Sequence, residues 1–363
     1  MNRISRGLVS RIALIASWLG VIAAPAQAAD FAAFNASYAR DVVAPAFKTL
    51  AGETQKLAQA ADDFAAQPSQ DGFAAVRVAF ESVSDAWMQS QFFRLGPLGA
   101  QQRSERFAYW PERRPIIDKQ LTGLLANATP ETLEEAKFAQ SSVAVQGLPA
   151  LERLLYGDTA RQVLSAGPEQ KARIAVIKSI AHNLDNLAHE LAGDWEKVLS
   201  DPKTAGALFA QDPNEAAAQL FAGLTTGLQV VSDQKIAAPR GQTIDKAKPK
   251  TAEQWRSGRS LKNIKLNLQT LRAAVLGPSG FATLFPADQT ALKDEIAKAF
   301  NDALAAVDAA PEPLETAVAD AEGRKKVGAL LIAVNHVRDI MSQKVPAVIG
   351  ISLGFNEMDG DGS

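Results

Sequence analysis

The chain has 363 residues, of which 47% are hydrophobic and 21% are charged, and its formal net charge is −2 at pH 7. This balance excludes a disordered or collagen-like chain. A nearly neutral chain without interleaved basic and aromatic residues also gives no support for a nucleic-acid partner. The sequence contains no cysteine, which excludes a disulfide scaffold, a thiolate metal site and a cysteine nucleophile.

Residues 1–28 have the pattern of a secretory signal peptide. Three arginines and no acidic residue accompany an apolar stretch at residues 12–24, and a small-residue cleavage site ends at Ala28. We therefore expect cleavage after Ala28 and export to the bacterial periplasm or cell envelope. No later stretch approaches 18 uninterrupted apolar residues, so we expect no transmembrane segment in the mature chain.

The rest of the sequence predicts helices, because alanine is abundant and runs of β-branched residues are scarce. Apolar residues recur at intervals of three and four in five segments, which is the spacing of one buried helix face. The five segments span residues 50–64, 76–87, 174–198, 261–275 and 327–345, the last with Arg338 interrupting its apolar face.

A change in composition near residues 201–214 marks the predicted boundary between two domains. We expect residues 29–205 to form an N-terminal helical bundle and residues 206–363 a C-terminal one. The predicted fold class is all-α, with two packed four-helix-bundle-like domains that are candidates for a diverged duplication. The polar, basic segment 239–251 predicts a long loop, either the rim of a functional site or a mobile surface loop.

Three segments together resemble the imelysin family of bacterial envelope proteins. The first is SQFFRLGP, which contains Gln91 and Arg94 and is followed by Trp110 in YWP. The second is QGLPALERLLYG around Glu152, and the third is the C-terminal GISLGFN, which runs into DGD. The resemblance implies a two-domain helical fold with a site near the domain interface. The family was named as peptidases, and relatives are linked to iron uptake.

The family's hallmark is Gly-x-His-x-x-Glu, whose His and Glu lie on one helix face and could share a divalent metal ion. Gly147 and Glu152 match this motif, but Pro149 stands where the family has its histidine. Proline has no ligand atom and suits the first turn of a helix, which we expect over residues 148–157. Gln91 stands where the family has an acidic residue. The resemblance therefore implies a degraded metal site at Glu152.

Glu152 lies among leucines and is expected to be partly buried, so it needs a polar partner. Two interpretations are open at this point. Glu152 could belong to a remnant site in which it pairs with Arg94 or Arg106, or it could form an ordinary salt bridge between helices.

A rival set of metal ligands is formed by His182, Asp185 and His189, which fall on one side of the predicted helix at 174–198. They predict either a replacement metal site facing the other bundle or a solvated flank, which most bundle helices have. The sequence lacks His-Glu-x-x-His, the zinc peptidase signature. The C-terminal DGDG lacks the other ligands of a calcium loop, and we expect a tail behind docked residues 353–355.

The number of ligands favours a binding or interaction protein over an enzyme. A catalytic metal needs about three protein ligands, and only Glu152 is a ready candidate, so no catalytic residue is assigned. We expect an exported protein, linked to iron acquisition, whose partner is a small ligand or another envelope protein. The alternative is a metal-dependent peptidase, as the family's name implies. The expected site at the domain interface comprises Gln91, Arg94, Trp110, Gly147, Pro149 and Glu152.

Overall fold

The computed structural model describes residues 30–112, 114–210 and 212–353. These residues form helices joined by turns and contain no β-strand, which confirms the predicted all-α class. No helix in the described part of the chain combines the length and apolarity needed to span a bilayer. The predicted signal peptide, two of the three predicted docked residues (354 and 355) and the whole predicted tail behind them lie outside the described residues. Leu353, the last of them, packs against the core.

Three long helices dominate the first half of the chain. Helix α2 packs along both α3 and α9, and the shorter helices α5 to α8 cover α9 at one side. The helices are α1 (Phe31–Tyr38), α2 (Ala44–Ala66), α3 (Gln70–Ser90), α4 (Arg103–Phe107), α5 (Ile117–Ala126), α6 (Glu135–Phe138), α7 (Val143–Gln146), α8 (Leu148–Tyr156), α9 (Pro168–Ser200) and α10 (Pro202–Ala205). A π-helical turn at Ala39–Val43 makes α1 and α2 one continuous helix.

Four long helices form a bundle in the second half. Helix α14 packs between α13 and α16, and α11 contacts both α13 and α16. The helices are α11 (Pro213–Gln229), α12 (Ala238–Arg240), α13 (Ser260–Leu276), α14 (Thr290–Ala309), α15 (Leu314–Ala317), α16 (Ala321–Gln343) and α17 (Val345–Ile349). A π-helical turn at Val230–Ala237 joins α11 to α12. The boundary near residues 201–214 and the duplication stay predictions.

The apolar stripes lie where the spacing predicts them. In α9 the stripe from Ile174 to Val198 is buried, and the helix packs on α2. In α16 the interruption at Arg338 has a simple explanation. Val337 occupies the buried position, while Arg338 turns to α11's C-terminal extension and its Nη1 donates to Asp233 Oδ1 at 3.0 Å.

Two helix pairs are prominent among the contacts between the two halves. Helix α3 packs against α13, and α1, the first described helix, packs against α11. The rings of Phe34 and Tyr38 lie 4.7 Å and 5.1 Å from the ring of Phe281, and Asn35 Nδ2 donates to the carbonyl of Pro213 at 2.8 Å. The continuous helix α1–α2 therefore contacts both groups of helices.

The polar segment 239–251 begins with the last two residues of α12 and contains two short 3₁₀ turns, Ile244–Lys246 and Pro249–Thr251. The rest of the segment lacks regular structure. Its C-terminal end, at Lys250 and Thr251, lines a cavity. Of the two interpretations left open by the sequence, this placement agrees with the rim of a site.

Candidate functional site

A cavity of about 310 Å³ lies beside the start of α8. Four aromatic residues line it: Trp87 lies in the last turn of α3, Tyr109 and Trp110 follow α4, and Trp255 precedes α13. Three of the chain's five tryptophans therefore line this one cavity. The lining residues come from segments 87–153 and 250–256, so both predicted halves contribute.

The start of α8 brings the motif residues to this cavity. A Cβ atom on Gly147 would overlap the carbonyl oxygens of Phe107 and Arg106, so only glycine lets the chain pass at this point. Pro149 occupies the first turn of α8, where no helical N–H is lost, as the sequence predicts. Glu152 follows three residues later, and both Pro149 and Glu152 line the cavity.

Glu152 is only 3% exposed. Its Oε1 accepts two hydrogen bonds from Ser257, one from the backbone N–H at 2.9 Å and one from the hydroxyl at 2.8 Å. Burial raises the pKa of the Glu152 carboxyl above its ordinary value, and the Ser257 hydrogen bonds and the charges of Arg256 and Arg153 only partly offset this.

The prediction that Glu152 pairs with Arg94 or Arg106 is therefore wrong. Arg94 Nη2 instead lies 4.0 Å from Glu105 Oε1, and Arg106 Nε donates to Gln146 Oε1 at 2.9 Å. The alternative of an ordinary salt bridge between helices is wrong as well, since the hydrogen-bond donor is the serine of a distant segment.

Gln91 and Arg94 lie outside the cavity of Glu152. They line a neighbouring, more polar cavity of about 280 Å³, which shares Trp87 and Trp110 as walls. Gln91 Nε2 contacts Met88 Sδ at 3.0 Å. The structure thus brings Pro149, Glu152 and Trp110 together at one cavity, with Gly147 directly before α8, and places Gln91 and Arg94 at the neighbouring cavity.

The rival ligand set on α9 is not assembled. His182 Nε2 lies 3.0 Å from Asp62 Oδ1 on α2, whereas His189 Nδ1 lies 3.0 Å from Asp185 Oδ1 on its own helix. Asp185 also accepts from the hydroxyl of Thr54 at 3.2 Å. The two imidazoles belong to separate pairs, and only His182 contacts α2, so the described structure does not bring the three predicted ligands together around one cation.

Sequence reasoning missed a buried ion pair next to the cavity. Lys235 Nζ donates to Glu253 Oε2 at 2.8 Å and to Asn267 Oδ1 at 2.7 Å, and the two side chains of the pair are 2% and 7% exposed. Burial lowers the pKa of Lys235, an effect that Glu253 opposes. Asn263 Nδ2 adds a hydrogen bond to Glu253 Oε2 at 3.2 Å.

Glu112, the third carboxylate that lines the cavity, also has a partner within the protein. Glu112 Oε2 accepts from Arg153 Nη2 at 2.6 Å, and Arg153 Nε donates to Asp118 Oδ1 at 2.6 Å. The three carboxylates that line the cavity, Glu112, Glu152 and Glu253, therefore each have a partner from the protein itself.

Comparison with known proteins decides the family. The sequence model described as Imelysin matches residues 43–341. The chain belongs to the imelysin family. A curated relative, iron-regulated protein A of Synechococcus elongatus, is 22% identical over 319 residues, which cover 84% of this chain and 83% of the relative.

Two solved structures share the fold of this imelysin. An imelysin-like protein from Psychrobacter arcticum superposes with a TM-score of 0.75 at 22% identity, covering 90% of this chain and 99% of that one. A putative iron-regulated protein A precursor from Parabacteroides distasonis gives a TM-score of 0.67 at 16% identity, covering 86% and 95%. These similarities confirm the helical architecture.

The residues at the motif do not fit the divalent metal that the imelysin resemblance implies. Pro149 offers no ligand atom, and Glu152 is committed to Ser257. Among the described residues, no three side chains of the types that ligate metals come together. In this imelysin Pro149 takes one ligand atom away from the motif, and Oε1 of Glu152 already accepts two hydrogen bonds from Ser257.

Proposed function

We propose that this imelysin is an exported, non-enzymatic protein that binds a small organic ligand in the cavity around Glu152 and serves iron acquisition. The observation that carries the proposal is the pairing of charges in the cavity. Because Glu112, Glu152 and Glu253 each have a partner within the protein, the cavity does not offer a metal a set of uncommitted carboxylates. Its aromatic walls provide the apolar surface that small-molecule sites have.

The link to iron and the export rest on relatives and on the N-terminal pattern. The curated relative is named as an iron-regulated protein, and one structural neighbour is described as the precursor of such a protein. The arginine-rich, apolar N-terminus ending at Ala28 supports export. N-terminal sequencing of protein from the periplasmic fraction should give Ala29 as the first residue, and a retained Met1 would contradict export by cleavage.

Metal titration tests the absence of a metal site. We expect the wild type to bind zinc, iron and copper weakly, and Pro149→His to bind them more tightly, because an imidazole would stand one turn before Glu152. Adding Gln91→Glu should give no further gain, since Gln91 lines the neighbouring cavity. Calorimetry on the wild type, both single variants and the double variant measures this order.

The peptidase alternative predicts a different outcome. Tight binding of one metal equivalent by the wild type, abolished in Glu152→Ala, would refute the proposal, as would metal-dependent hydrolysis of a protein substrate that the same substitution abolishes. His182→Ala serves as the matched control, because His182 faces Asp62 on α2. Loss of metal binding in that variant alone would locate a metal site on α9 instead.

A further inference from the structure

The walls of the cavity favour a flat ligand. Trp87 is fixed on one side by stacking on Phe107, with ring centroids 4.4 Å apart and an interplanar angle of 18°. Trp110 and Trp255 line other parts of the same space. A planar ring gains both apolar contact and stacking from such surfaces. This inference rests on the proposed function, namely that the cavity binds a small organic molecule.

Two cations line the cavity, and neither has a carboxylate to itself. The Arg256 guanidinium lies 4.5 Å from the centroid of the Trp255 ring, and the nearest described carboxylate, Asp118, is 3.7 Å away and already accepts from Arg153. Lys250 Nζ lies 5.3 Å from the same ring centroid, and its described contacts include no carboxylate. Both residues line the cavity. Arg256 shares the charge of Asp118 with Arg153 and also interacts with Glu152 and Glu112, whereas Lys250 has no such partner among the described residues. A ligand anion would therefore meet the full charge of Lys250 and part of the charge of Arg256.

The same cations argue against a cationic ligand. Aromatic cages for ammonium groups need ring faces that are open to the ligand. Here Arg256 and Lys250 already lie over Trp255, and Lys235 Nζ lies 5.7 Å from the centroid of Trp110. A ligand ammonium would meet these charges at close range.

Glu152 supplies a further polar contact in the same cavity. Both described hydrogen bonds to its carboxyl end on Oε1, so Oε2 is the acceptor that a ligand would meet. A hydroxyl or amine N–H on the ligand ring could donate to this oxygen.

We propose that the cavity binds a small aromatic carboxylate that carries a hydroxyl or amine donor on its ring. The ring lies among Trp87, Trp110 and Trp255, the carboxylate meets Arg256 and Lys250, and the ring donor reaches Glu152. Binding of this class is noncovalent and needs no metal.

Three probes with one skeleton test the ligand class by calorimetry and by quenching of tryptophan fluorescence. These are 3-(4-hydroxyphenyl)propanoate, its cationic counterpart tyramine, and 3-phenylpropanoate, which lacks the hydroxyl. The hydroxylated anion should bind about tenfold or more tightly than tyramine, because only the anion forms charge-assisted hydrogen bonds with Arg256. It should also bind several-fold more tightly than 3-phenylpropanoate, which leaves Glu152 without a donor.

Variants assign the contacts. Arg256→Gln should weaken binding of the hydroxylated anion about tenfold, and Glu152→Gln should remove most of the advantage of the hydroxyl. Lys246→Gln is the matched control, since Lys246 is an exposed cation of the same loop that lines no part of the cavity. Thermal unfolding and circular dichroism establish that each variant folds.

Several results would overturn the ligand class: tyramine binding as tightly as the anion, no binding of the anion at millimolar concentration, or unchanged affinity in Arg256→Gln. None of these results would change the outcome expected from the metal titration. Conversely, tight metal binding lost in Glu152→Ala would refute the proposed function itself, whatever the probes do. The two failures are therefore distinguishable.

Discussion

Replacing Lys235 with methionine should strongly destabilise the protein. Methionine keeps an unbranched side chain but removes the ammonium, which lies 2.8 Å from Glu253 Oε2. Glu253, whose side chain is 7% exposed, would then remain buried without its cation. Breaking a buried ion pair in this way costs about 3–5 kcal/mol of folding free energy.

The remaining contacts place the expected loss toward the lower end of that range, about 3 kcal/mol. Asn263 Nδ2 still donates to Glu253 Oε2 at 3.2 Å, which partly compensates the charge. Asn267 Oδ1, in contrast, loses the donor that lies 2.7 Å away. In the double variant Lys235→Met/Glu253→Gln neither charge is buried, and about 2 kcal/mol should be recovered.

Urea unfolding followed by circular dichroism at neutral pH measures these changes. Lys265→Met is the matched control, because Lys265 forms a pair of similar length with Asp308, at 2.7 Å, on the surface. Exposed pairs contribute little, so this variant should lose only a small fraction of the stability that Lys235→Met loses. A Lys235→Met protein as stable as the control, or a double variant no more stable than the single one, would refute the reasoning.

Three further predictions concern the start of α8 and its partner segment. Ser257→Ala should lower the free energy of unfolding at neutral pH by about 1.5–3 kcal/mol, because it removes a hydroxyl donor to a buried carboxylate; an unchanged urea midpoint would contradict this. Gly147→Ala should cost about 1–3 kcal/mol through overlap with the carbonyl of Phe107, visible as a lower Tm in calorimetry. Glu152→Gln tests the raised pKa of Glu152. Because its pKa is raised in the folded state, Glu152 contributes its full stabilisation of the wild type at pH values below the ordinary carboxyl pKa. The wild type loses this stabilisation as the pH rises through the raised pKa. The free energy of unfolding of the Gln variant should therefore rise relative to that of the wild type between about pH 4 and about pH 8. A difference in unfolding free energy that does not change with pH would disprove the raised pKa.

The local sequence pattern was sufficient to predict α8, the helix that carries Pro149 and Glu152. The proline at position 149 fits only the first turn of a helix, and α8 begins at Leu148 and ends at Tyr156, before Gly157. Gln91 illustrates the limit of such reasoning. Helix α3 ends at Ser90, so the helical period no longer sets the direction of the next side chain.

The partners of buried charges could not be predicted, because they come from distant segments. Glu152 and Ser257 are separated by 105 residues in the sequence, and no periodicity connects them. Lys235 has the appearance of an ordinary helical lysine in sequence. A signal did exist in α13, where Asn263 and Asn267 stand four residues apart within the apolar segment 261–275 and are both fully buried. Buried amides at that spacing indicate a polar partner on the facing element.

The position of α1 sets an order of events for a growing chain. Its Phe34 and Tyr38 rings pack on Phe281, and its Asn35 bonds to Pro213, 178 residues later. At a synthesis rate of about 5–20 residues per second, roughly 10–50 seconds pass before that surface exists. During this interval Phe34 and Tyr38 lack Phe281 as a packing partner, and the helix is open to non-native contacts. A polypeptide held unfolded until its release across a membrane avoids this delay, because α1 and Phe281 then become available at the same moment.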